Sequence, residues 1–386
     1  MFDTIIIGAG FAGSVLAERL ATQQNKRVLI IDKRRHIGGN CYDRFDEHNV
    51  LIHQYGPHLF HTDNKTVFDY LSQFTQWTQY QHEVLAFIDG QKVSVPFNLN
   101  SLHALFPKSL ADSLELKLIE AFGYGVKVPI LELRKTDDKE LKLLADYIYD
   151  KIFVNYTAKQ WGKKPEDISA EVTGRVPVHI SRDNRYFQDQ YQAIPSHGYT
   201  KIFENMLDHP NISLLLNTDF KDVFKIDFKT GDTHFMDNQF TGQLIFTGLI
   251  DELFDSQFGE LPYRSLDFQF EHLETDQYQE KTTINYPNDY DFTRITEFKH
   301  ISQQSVSGTT IVREFPQDFD RNDPTKNIPY YPVFTPENKE KLDRYINFAE
   351  QFKNITLVGR LAENRYYDMD DIVARALQVF ADKFVK

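Results

Sequence analysis

A glycine-rich turn close to the start of the chain constrains the fold more than any other feature. The apolar run Thr4–Ile7 is followed by Gly8, Gly10 and Gly13, which is the spacing of a dinucleotide-binding fingerprint. Such glycines allow a tight bend, a close approach of the backbone to a pyrophosphate, and close packing of helix against strand. The sequence therefore predicts a strand, a phosphate-binding turn and a helix that begins at Phe11.

The segment after the fingerprint indicates which dinucleotide is bound. A second apolar strand ends at Asp32, 19 residues after Gly13, where a carboxylate can accept hydrogen bonds from ribose hydroxyls. A basic segment with a glycine pair follows, from Lys33 to Gly39 and Asn40. FAD enzymes often place such a loop against the adenosine and the pyrophosphate, so the segment favours FAD. A nicotinamide-binding domain is the alternative.

Composition excludes several classes of protein. A chain of 386 residues with 41% apolar residues can bury a large core in two or three domains. The net charge of −13 argues against non-specific nucleic-acid binding, so an anionic ligand requires particular local cations. Cys41 is the single cysteine, which excludes an intrachain disulfide and fits a reducing cytoplasm. No signal peptide and no membrane span are expected, because the first strand begins almost at once and no apolar run is long enough.

The order of the segments predicts an α/β fold with insertions. Strands that end in glycine recur at Gln243–Gly248 and Asn354–Gly359, and the helix Met369–Phe384 closes the chain. Between them lie helical segments and short alternating segments typical of antiparallel sheet. We predict a Rossmann-like FAD-binding domain with an inserted helical domain and an antiparallel β-sheet domain. Their segments are 1–78, 196–250 and 340–386 for the first, 99–180 for the second, and 79–98, 181–195 and 251–339 for the third.

Nine motifs, taken in order, are similar to those of bacterial UDP-galactopyranose mutase, and the match runs nearly from end to end. They are the glycine fingerprint, Ile37–Asn40, Tyr55–Thr62, Tyr156–Gly162, Arg175–Val178, Tyr263–Phe268, Thr293–Glu297, Ile328–Pro332, and Gly359–Leu361 with Tyr366–Asp370.

This resemblance implies a flavin-dependent isomerase that interconverts UDP-galactopyranose and UDP-galactofuranose. N5 of reduced FAD would act as the nucleophile on the anomeric carbon, and NAD(P)H or a reductase would keep the FAD reduced. The product would supply galactofuranose for cell-surface polysaccharide. The protein would contribute positioning and charge neutralisation while the cofactor carries the bond changes. A homodimer is the expected assembly.

The resemblance also implies a set of cofactor-binding residues. His58 is expected against the flavin and Asp368 at its ribityl end, with Asp370 as the cap of the last helix. A metal site at His53, His58 and His61 is not expected, because no cysteine or carboxylate has ligand spacing there. The predicted cofactor site consists of Gly8, Gly10, Phe11, Gly13, Asp32, Lys33, Gly39, Asn40, His58, Arg360, Tyr366, Asp368 and Met369.

The substrate site is predicted from the same motifs. Arg175 and Arg294 match the family's pair of arginines on the pyrophosphate, where guanidinium groups bind bidentately. Trp161 opens a loop near 161–175 that is expected to be mobile and to close over the substrate. His82 stands where the family commonly has Asn. The catalytic set is Arg175, Arg294, Tyr331, Tyr366 and His58, and the substrate-binding set is Phe153, Tyr156, Thr157, Trp161, Arg175, Tyr186, Arg264, Asn285, Arg294, Tyr331, Tyr366 and His82.

Other functions remain open at this point. A flavin amine oxidase or desaturase shares the fingerprint and the glycine pair, but it would not need an arginine pair. A mutase acting on the UDP-N-acetyl sugar is a second alternative, because the His82 position lies toward the active site. A non-catalytic nucleotide-binding regulator is a third.

Overall fold

The structure is a computed structural model that describes residues 2–162 and 176–385. Within these residues the strands are β1 (Thr4–Ile7), β2 (Val28–Ile31), β3 (Asp43–Phe45), β4 (Leu51–His53), β5 (Phe60–Thr62), β6 (Trp77–Gln79), β7 (Val84–Ile88), β8 (Gln91–Val95), β9 (Lys127–Val128), β10 (Val178–His179), β11 (Tyr191–Pro195), β12 (Ile212–Leu215), β13 (Phe224–Ile226), β14 (Thr233–Phe235), β15 (Asn238–Phe240), β16 (Gln243–Phe246), β17 (Tyr263–Leu273), β18 (Thr283–Asn285), β19 (Arg294–Glu297), β20 (Thr309–Asp318), β21 (Tyr331–Pro332) and β22 (Ile355–Leu357).

The described helices lie between these strands. They are α1 (Phe11–Gln24), α2 (Lys65–Leu71), α3 (Leu99–Leu105), α4 (Lys108–Phe122), α5 (Ile130–Leu133), α6 (Lys139–Ile148), α7 (Asn155–Trp161), α8 (Tyr199–Leu207), α9 (Phe220–Val223), α10 (Ile250–Leu253), α11 (Phe298–Ser302), α12 (Pro336–Ala349) and α13 (Met369–Phe384), with a 3₁₀ turn at Gly39–Cys41 and a π-helical segment at Tyr149–Val154.

A five-stranded parallel sheet in the order β12-β2-β1-β16-β22 forms the dinucleotide-binding part. Its strands are continuous apolar runs because both faces are covered, as is usual for parallel sheets. On one face Ile6 and Ile30 pack with α1, α8 and α13, and on the other Ile5 and Ile31 pack with α10 and α12. The carboxyl ends of the strands therefore meet at one edge, where ligands of such sheets bind.

Two glycine-rich turns touch each other at that edge. A Cβ on Gly39 would lie 2.9 Å from the Cα of Gly10, and a Cβ on Gly13 would lie 2.0 Å from the carbonyl oxygen of Gly8. The N–H of Gly38 donates to the carbonyl of Ala9 at 2.9 Å. The fingerprint turn and the second glycine turn consequently form one surface of backbone.

A seven-stranded mixed sheet follows the order β21-β17-β20-β19-β18-β7-β8. Its two long strands, β17 and β20, pair antiparallel from Arg264 opposite Asp318 to Leu273 opposite Thr309. Strands β7 and β8 form a hairpin, and β7 joins the sheet by parallel pairing with β18. Asn285 and Arg294 face each other in the β18–β19 pair. This sheet thus brings distant segments to one surface.

Helices α3–α6 of the inserted helical part pack with the hairpin β7–β8 around a second core, and α7 follows at its edge. Asp138 caps α6 by accepting hydrogen bonds from the N–H groups of Glu140 (2.8 Å) and Leu141 (3.0 Å). The π-helical segment then joins α6 to α7 without a break. The fold class is confirmed, and the closing helix has the predicted bounds; the domain boundaries stay a prediction. Among the described residues no helix is long and apolar enough to cross a membrane.

The two glycines of the first turn predict different failures. Gly13→Ala should destabilise the protein without any ligand by about 1–3 kcal/mol, because the new methyl group meets a fixed backbone carbonyl. Gly10→Ala has room, since the nearest atom to a Cβ is 3.7 Å away, so it should fold normally and lose the bound dinucleotide. Urea unfolding of the apoproteins and cofactor content measure the two effects. Equal unfolding midpoints for both variants would contradict the interpretation.

Candidate active site

Two cavities meet at the carboxyl edge of the parallel sheet. The first lies along the glycine turns and the ends of β1, β2 and β16, and the second lies between the mixed sheet and α7. A ligand that fills the first cavity therefore presents one end to the second. The residues that line both cavities are Asn40, His58, Tyr330, Arg360, Asp368 and Met369.

Asp32 organises the first cavity. One carboxylate oxygen accepts from the N–H of Ala9 and the other from the N–H of Arg34, both at 2.8 Å. Arg34 in turn donates to the amide oxygen of Asn40 at 2.9 Å and lies over the ring of Tyr55 at 4.3 Å. The basic loop and the glycine turn are thereby held around one carboxylate. Arg34 lies in the basic segment after Asp32 and Tyr55 in the motif Tyr55–Thr62, but neither is among the sequence-predicted site residues.

The first cavity fits a dinucleotide. Helix α1 has Gly10 at its N-cap with no side-chain hydrogen bond, so its first N–H groups point to a pyrophosphate position. Of the predicted cofactor-binding residues, Gly8, Gly10, Phe11, Lys33 and Gly39 line this cavity, whereas Gly13 packs beneath the turn. Further lining residues, which the strand-end pattern of β16 could partly have indicated, are Thr218, Asp219, Thr247, Gly248 and Glu252.

His58 sits at the junction with a fixed tautomer. Its backbone N–H donates to Nδ1 of His53 at 2.9 Å, and its own Nδ1 lies 2.8 Å from the carbonyl of Gly56. Because a carbonyl only accepts, the proton is on Nδ1 and Nε2 is left as an acceptor. Burial lowers the pKa of His58 to about 3 and that of His53 to about 4, so both imidazoles are neutral at physiological pH.

Arg360 and two tyrosines form the opposite wall of the junction. The guanidinium donates to the carbonyls of Tyr367 and Tyr330, and lies 4.8 Å from the ring of Tyr366 and 5.5 Å from that of Tyr331. The rings of Tyr331 and Tyr366 are nearly parallel, 5.8 Å apart. Burial raises the pKa of Tyr331 to about 12, so its phenol stays protonated and can donate a hydrogen bond.

Arg294 is the fixed cation of the second cavity. It faces Glu314 across the β19–β20 pair, and Nε lies 2.7 Å from a carboxylate oxygen of Glu314, which has no exposed side-chain surface. Burial works against the charge of Arg294, but Glu314 more than offsets it, so the pKa of Arg294 lies well above its usual value. Glu314 is a functional residue that the sequence did not reveal. Asn285, opposite Arg294, keeps a buried amide oxygen that has no hydrogen-bond partner among residues 2–162 and 176–385.

Aromatic and imidazole rings complete the second cavity. Tyr156, Tyr186 and Phe187 line it, and Phe187 stacks on His61 with the ring centres 3.5 Å apart. His82 also lines it; it is 6% exposed, and burial and the nearby Arg294 lower its pKa to about 3. The described lining of the cavity thus offers two guanidinium groups, Arg294 and Arg360, together with flat aromatic faces and neutral polar edges.

Several predicted residues lie elsewhere. Phe153 packs in the helical core and does not line the second cavity, and neither does Thr157. Trp161 contacts Tyr331 with the ring centres 5.6 Å apart, from outside the cavity lining. Arg264 is engaged by the carbonyls of Lys159 and Gln160 and by Asp318.

Arg175, and with it all but the start of the predicted loop near 161–175, lies outside the described residues.

The predicted cap of the last helix is wrong. Asp368 occupies the N-cap position of α13, and its N–H donates to the carboxylate of Asp371 at 3.1 Å in a capping box. Asp370 instead accepts from the hydroxyl of Thr62 at 2.7 Å. Asp368 lines both cavities and therefore lies at their junction. Within residues 2–162 and 176–385, no three His, Cys, Asp or Glu side chains are arranged to hold a metal ion.

Comparison with known proteins agrees with this architecture. Residues 6–74 match the family model described as NAD(P)-binding Rossmann-like domain, and residues 151–366 match the model described as UDP-galactopyranose mutase. The crystal structure of a reduced UDP-galactopyranose mutase superposes with a TM-score of 0.74 at 16% identity, covering 99% of this chain and 93% of that one. A putative protoporphyrinogen oxidase from Exiguobacterium gives a TM-score of 0.62 at 12% identity, covering 97% of each chain. These structures establish the fold alone.

Relatives in sequence are more specific. The chain is 37% identical to a probable UDP-galactopyranose mutase of Klebsiella pneumoniae, covering 99% of this chain and 94% of the relative. It is 36% identical to the dTDP-fucopyranose mutase of Escherichia coli, covering 98% and 97%.

Fold and cavities define a dinucleotide-binding α/β enzyme with a second ligand site at the cofactor's end. Within that class, the chain belongs to the UDP-galactopyranose mutase family.

Two buried neutral histidines predict a loss of stability in acid. The pKa values of His53 and His82 fall from 6.5 to about 4 and about 3 in the folded protein, which therefore binds fewer protons than the unfolded chain. Their contribution is present above pH 6.5 and is lost as the pH falls; together it amounts to about 3–4 kcal/mol between pH 7 and pH 5. Unfolding by urea at several pH values measures it. His53→Gln should reduce the measured dependence by about 2 kcal/mol, and the exposed His197→Gln should leave it unchanged; an unchanged slope in His53→Gln would contradict the assignment.

Proposed function

We propose that this protein interconverts UDP-galactopyranose and UDP-galactofuranose with reduced FAD in the first cavity. The observation that carries the proposal is the half-buried cation Arg294, held by the fully buried Glu314 in a cavity that opens onto the end of a dinucleotide site. A nucleoside diphosphate sugar needs a fixed positive charge, a flat face for its base and polar groups for its sugar. Family membership supports the same reaction and argues against a flavin amine oxidase and against a non-catalytic regulator.

The residues of the first cavity fit FAD. Asp32 and Arg34 would hold the adenosine end, and the backbone of Gly10 and Gly39 would leave room for the pyrophosphate. Arg360 and Met369 line the junction, where the flavin end would face the substrate. When bound and reduced, FAD would supply an electron-rich N5 as the nucleophile toward the anomeric carbon. NAD(P)H or a separate reductase would supply the electrons.

The protein's own side chains would handle the leaving nucleoside diphosphate. Arg294 would neutralise the pyrophosphate, and the phenols of Tyr331 and Tyr366 would donate hydrogen bonds to its oxygens as charge builds there. Tyr156 and Tyr186 would lie against the base. Arg175 would be the second arginine on the pyrophosphate by its place in the family motif. No side chain forms a covalent bond to substrate in this scheme.

The identity of the nucleotide sugar is the sharpest question within the family, since one relative acts on a dTDP-linked 6-deoxy sugar. His61, His82 and Asn285 give the second cavity polar edges, and no described residue makes a hydrogen bond to the amide oxygen of Asn285. Such edges match the fully hydroxylated galactose better than fucose, which lacks the C6 hydroxyl. We therefore propose UDP-galactopyranose as substrate, with dTDP-fucopyranose and the UDP-N-acetyl sugar as competitors to be tested. The furanose product would serve cell-surface polysaccharide.

The proposal predicts isomerisation without net redox change. Purified protein reduced by dithionite should convert UDP-galactofuranose to UDP-galactopyranose, and it should be inactive with oxidised FAD. No reductant should be consumed per turnover, because the two sugars are isomers. The values of kcat/KM for the three nucleotide sugars, measured by chromatography, rank the substrates.

Stoichiometric consumption of reductant, or full activity in the oxidised state, would overturn the mechanism. A higher kcat/KM with dTDP-fucopyranose would retain the mechanism and change the substrate.

Arg294 can be separated from its structural role. Arg294→Met alone should cost about 3–5 kcal/mol of stability, because it leaves Glu314 buried and unpaired. The double variant Arg294→Met with Glu314→Gln removes both charges and should recover most of that stability. Its activity should still fall at least tenfold at normal FAD content, since a charge-assisted contact contributes about 1.5–3 kcal/mol. Near wild-type kinetics in the stable double variant would exclude Arg294 from substrate binding.

A further inference from the structure

Lys159 lies on helix α7, which also carries Tyr156 of the second cavity. Its side chain extends to the loop 286–292, which joins β18 to β19. That loop begins directly after Asn285 and ends two residues before Arg294, and both of those residues line the cavity. Lys159 therefore bridges two walls of the proposed substrate site without lining it.

The ammonium group is enclosed by backbone carbonyls. Nζ lies 2.6 Å from the carbonyl of Tyr286, 3.0 Å from that of Tyr290 and 3.2 Å from that of Phe292. The carbonyl of Asn288 is a fourth neighbour at 3.4 Å. An ammonium has three N–H donors, so the loop wraps around it with alternate carbonyls pointing inward. The carbonyl of Asn288 also accepts from the N–H of Tyr290, whereas the carbonyls of Tyr286, Tyr290 and Phe292 would face one another without this donor if the ammonium were absent.

The charge of Lys159 has no carboxylate partner within ion-pair distance among the described residues. Burial lowers the pKa of Lys159 to about 8, although Asp289 and Asp291 in the same loop favour the charged form. A surface lysine in the same helical stretch, Lys151, instead pairs with Asp89 at 2.7 Å. The backbone carbonyls around Lys159 thus give it an environment different from that of Lys151, which lies in the same helical stretch.

Two more contacts join the helical stretch to its surroundings. The amide of Asn155 donates to the side-chain oxygen of Asn288, and the amide of Asn288 donates to the carbonyl of Lys151, both at 3.0 Å. On the other side of α7, Arg264 donates to the carbonyls of Lys159 and Gln160, each at 3.0 Å. Arg264 fixes the end of the helix to β17, and Lys159 fixes the loop to the helix.

We propose that Lys159 is a positioning residue whose ammonium ties helix α7 to the loop 286–292 and thereby holds Tyr156 at working distance from Asn285 and Arg294. The assignment rests on the proposed function, because the distance matters only if a nucleotide spans these walls. Loss of the ammonium should loosen the loop and weaken nucleotide binding, while the FAD cavity stays intact.

The first test compares Lys159→Met with the matched control Lys151→Met. UDP affinity, measured by calorimetric titration, should fall at least tenfold in Lys159→Met and stay within twofold of wild type in the control. FAD content should be unchanged in both. KM for the nucleotide sugar should rise more than kcat falls. Wild-type UDP affinity in Lys159→Met would overturn the proposal.

The second test restores the charge chemically. Lys159→Cys treated with 2-bromoethylamine regains an ammonium at nearly the same reach, and bromoethane gives the uncharged counterpart. Cys41, the one native cysteine, is buried and burial raises the pKa of its thiol to about 12, so it should not react. UDP affinity should return to within about threefold of wild type with the aminoethyl group only. Equal recovery of UDP affinity with both reagents would show that the side chain at position 159 acts by packing, and it would refute the proposed role of the ammonium.

Hydrogen exchange separates this proposal from the proposed function. Amides of residues 286–292 should exchange faster in Lys159→Met and recover with the aminoethylated protein, whether or not nucleotide binds. Wild-type protein that binds neither UDP nor dTDP would overturn the proposed function. The exchange data would still decide whether the ammonium of Lys159 ties α7 to the loop 286–292. Unchanged exchange of the 286–292 amides in Lys159→Met would refute the proposed role of Lys159 even if the mutase activity is found.

Discussion

The close contact of two glycine turns determines where everything else in this molecule sits. Gly10 and Gly39 bring backbone against backbone because neither carries a Cβ. That contact places the basic loop over the carboxyl ends of the parallel strands, and Asp32 secures it with two hydrogen bonds. The first cavity, its junction at His58 and the second cavity all follow from this edge. A side chain at Gly39 would separate the turns and move the junction, because its Cβ would lie 2.9 Å from the Cα of Gly10.

A second theme is how an acidic protein holds positive charge for an anionic ligand. The chain has a net charge of −13, yet the guanidinium of Arg360 is held by neutral carbonyls, and so is the ammonium of Lys159. Carbonyl dipoles fix a cation in place without cancelling its charge. Arg294 is the exception, since Glu314 pairs with it at 2.7 Å. The pair is still useful because a desolvated guanidinium needs a partner to remain in place.

Local sequence patterns predicted much of the fold and part of the site. The fingerprint, the glycine pair and the last helix depend on neighbouring residues, so spacing alone defines them. Glu314 could not be predicted in this way, because its role depends on the register of β19 against β20.

The sequence also did not predict the helical phase, that is, which residues around the helix axis face the cavity. The π-helical segment Tyr149–Val154 widens the helix before α7, so residues beyond it are rotated relative to an α-helical pattern. Phe153 accordingly packs in the helical core while Tyr156 reaches the cavity. Asp368 and Asp370 are two residues apart, and only the geometry of the capping box shows which of them begins the helix.

The pairing of the half-buried Arg294 with Glu314 also has a kinetic consequence. Its field is partly cancelled by Glu314 and is short in range, whereas the surplus of carboxylates acts on a ligand at long range. A dianionic nucleotide sugar approaching from solution therefore meets repulsion first and attraction only on arrival. Salt at physiological strength screens charges beyond roughly 8 Å, which weakens the repulsion and leaves the enclosed contact almost untouched. The rate of ligand association is thus set by diffusion into the cleft and not by electrostatic steering toward it.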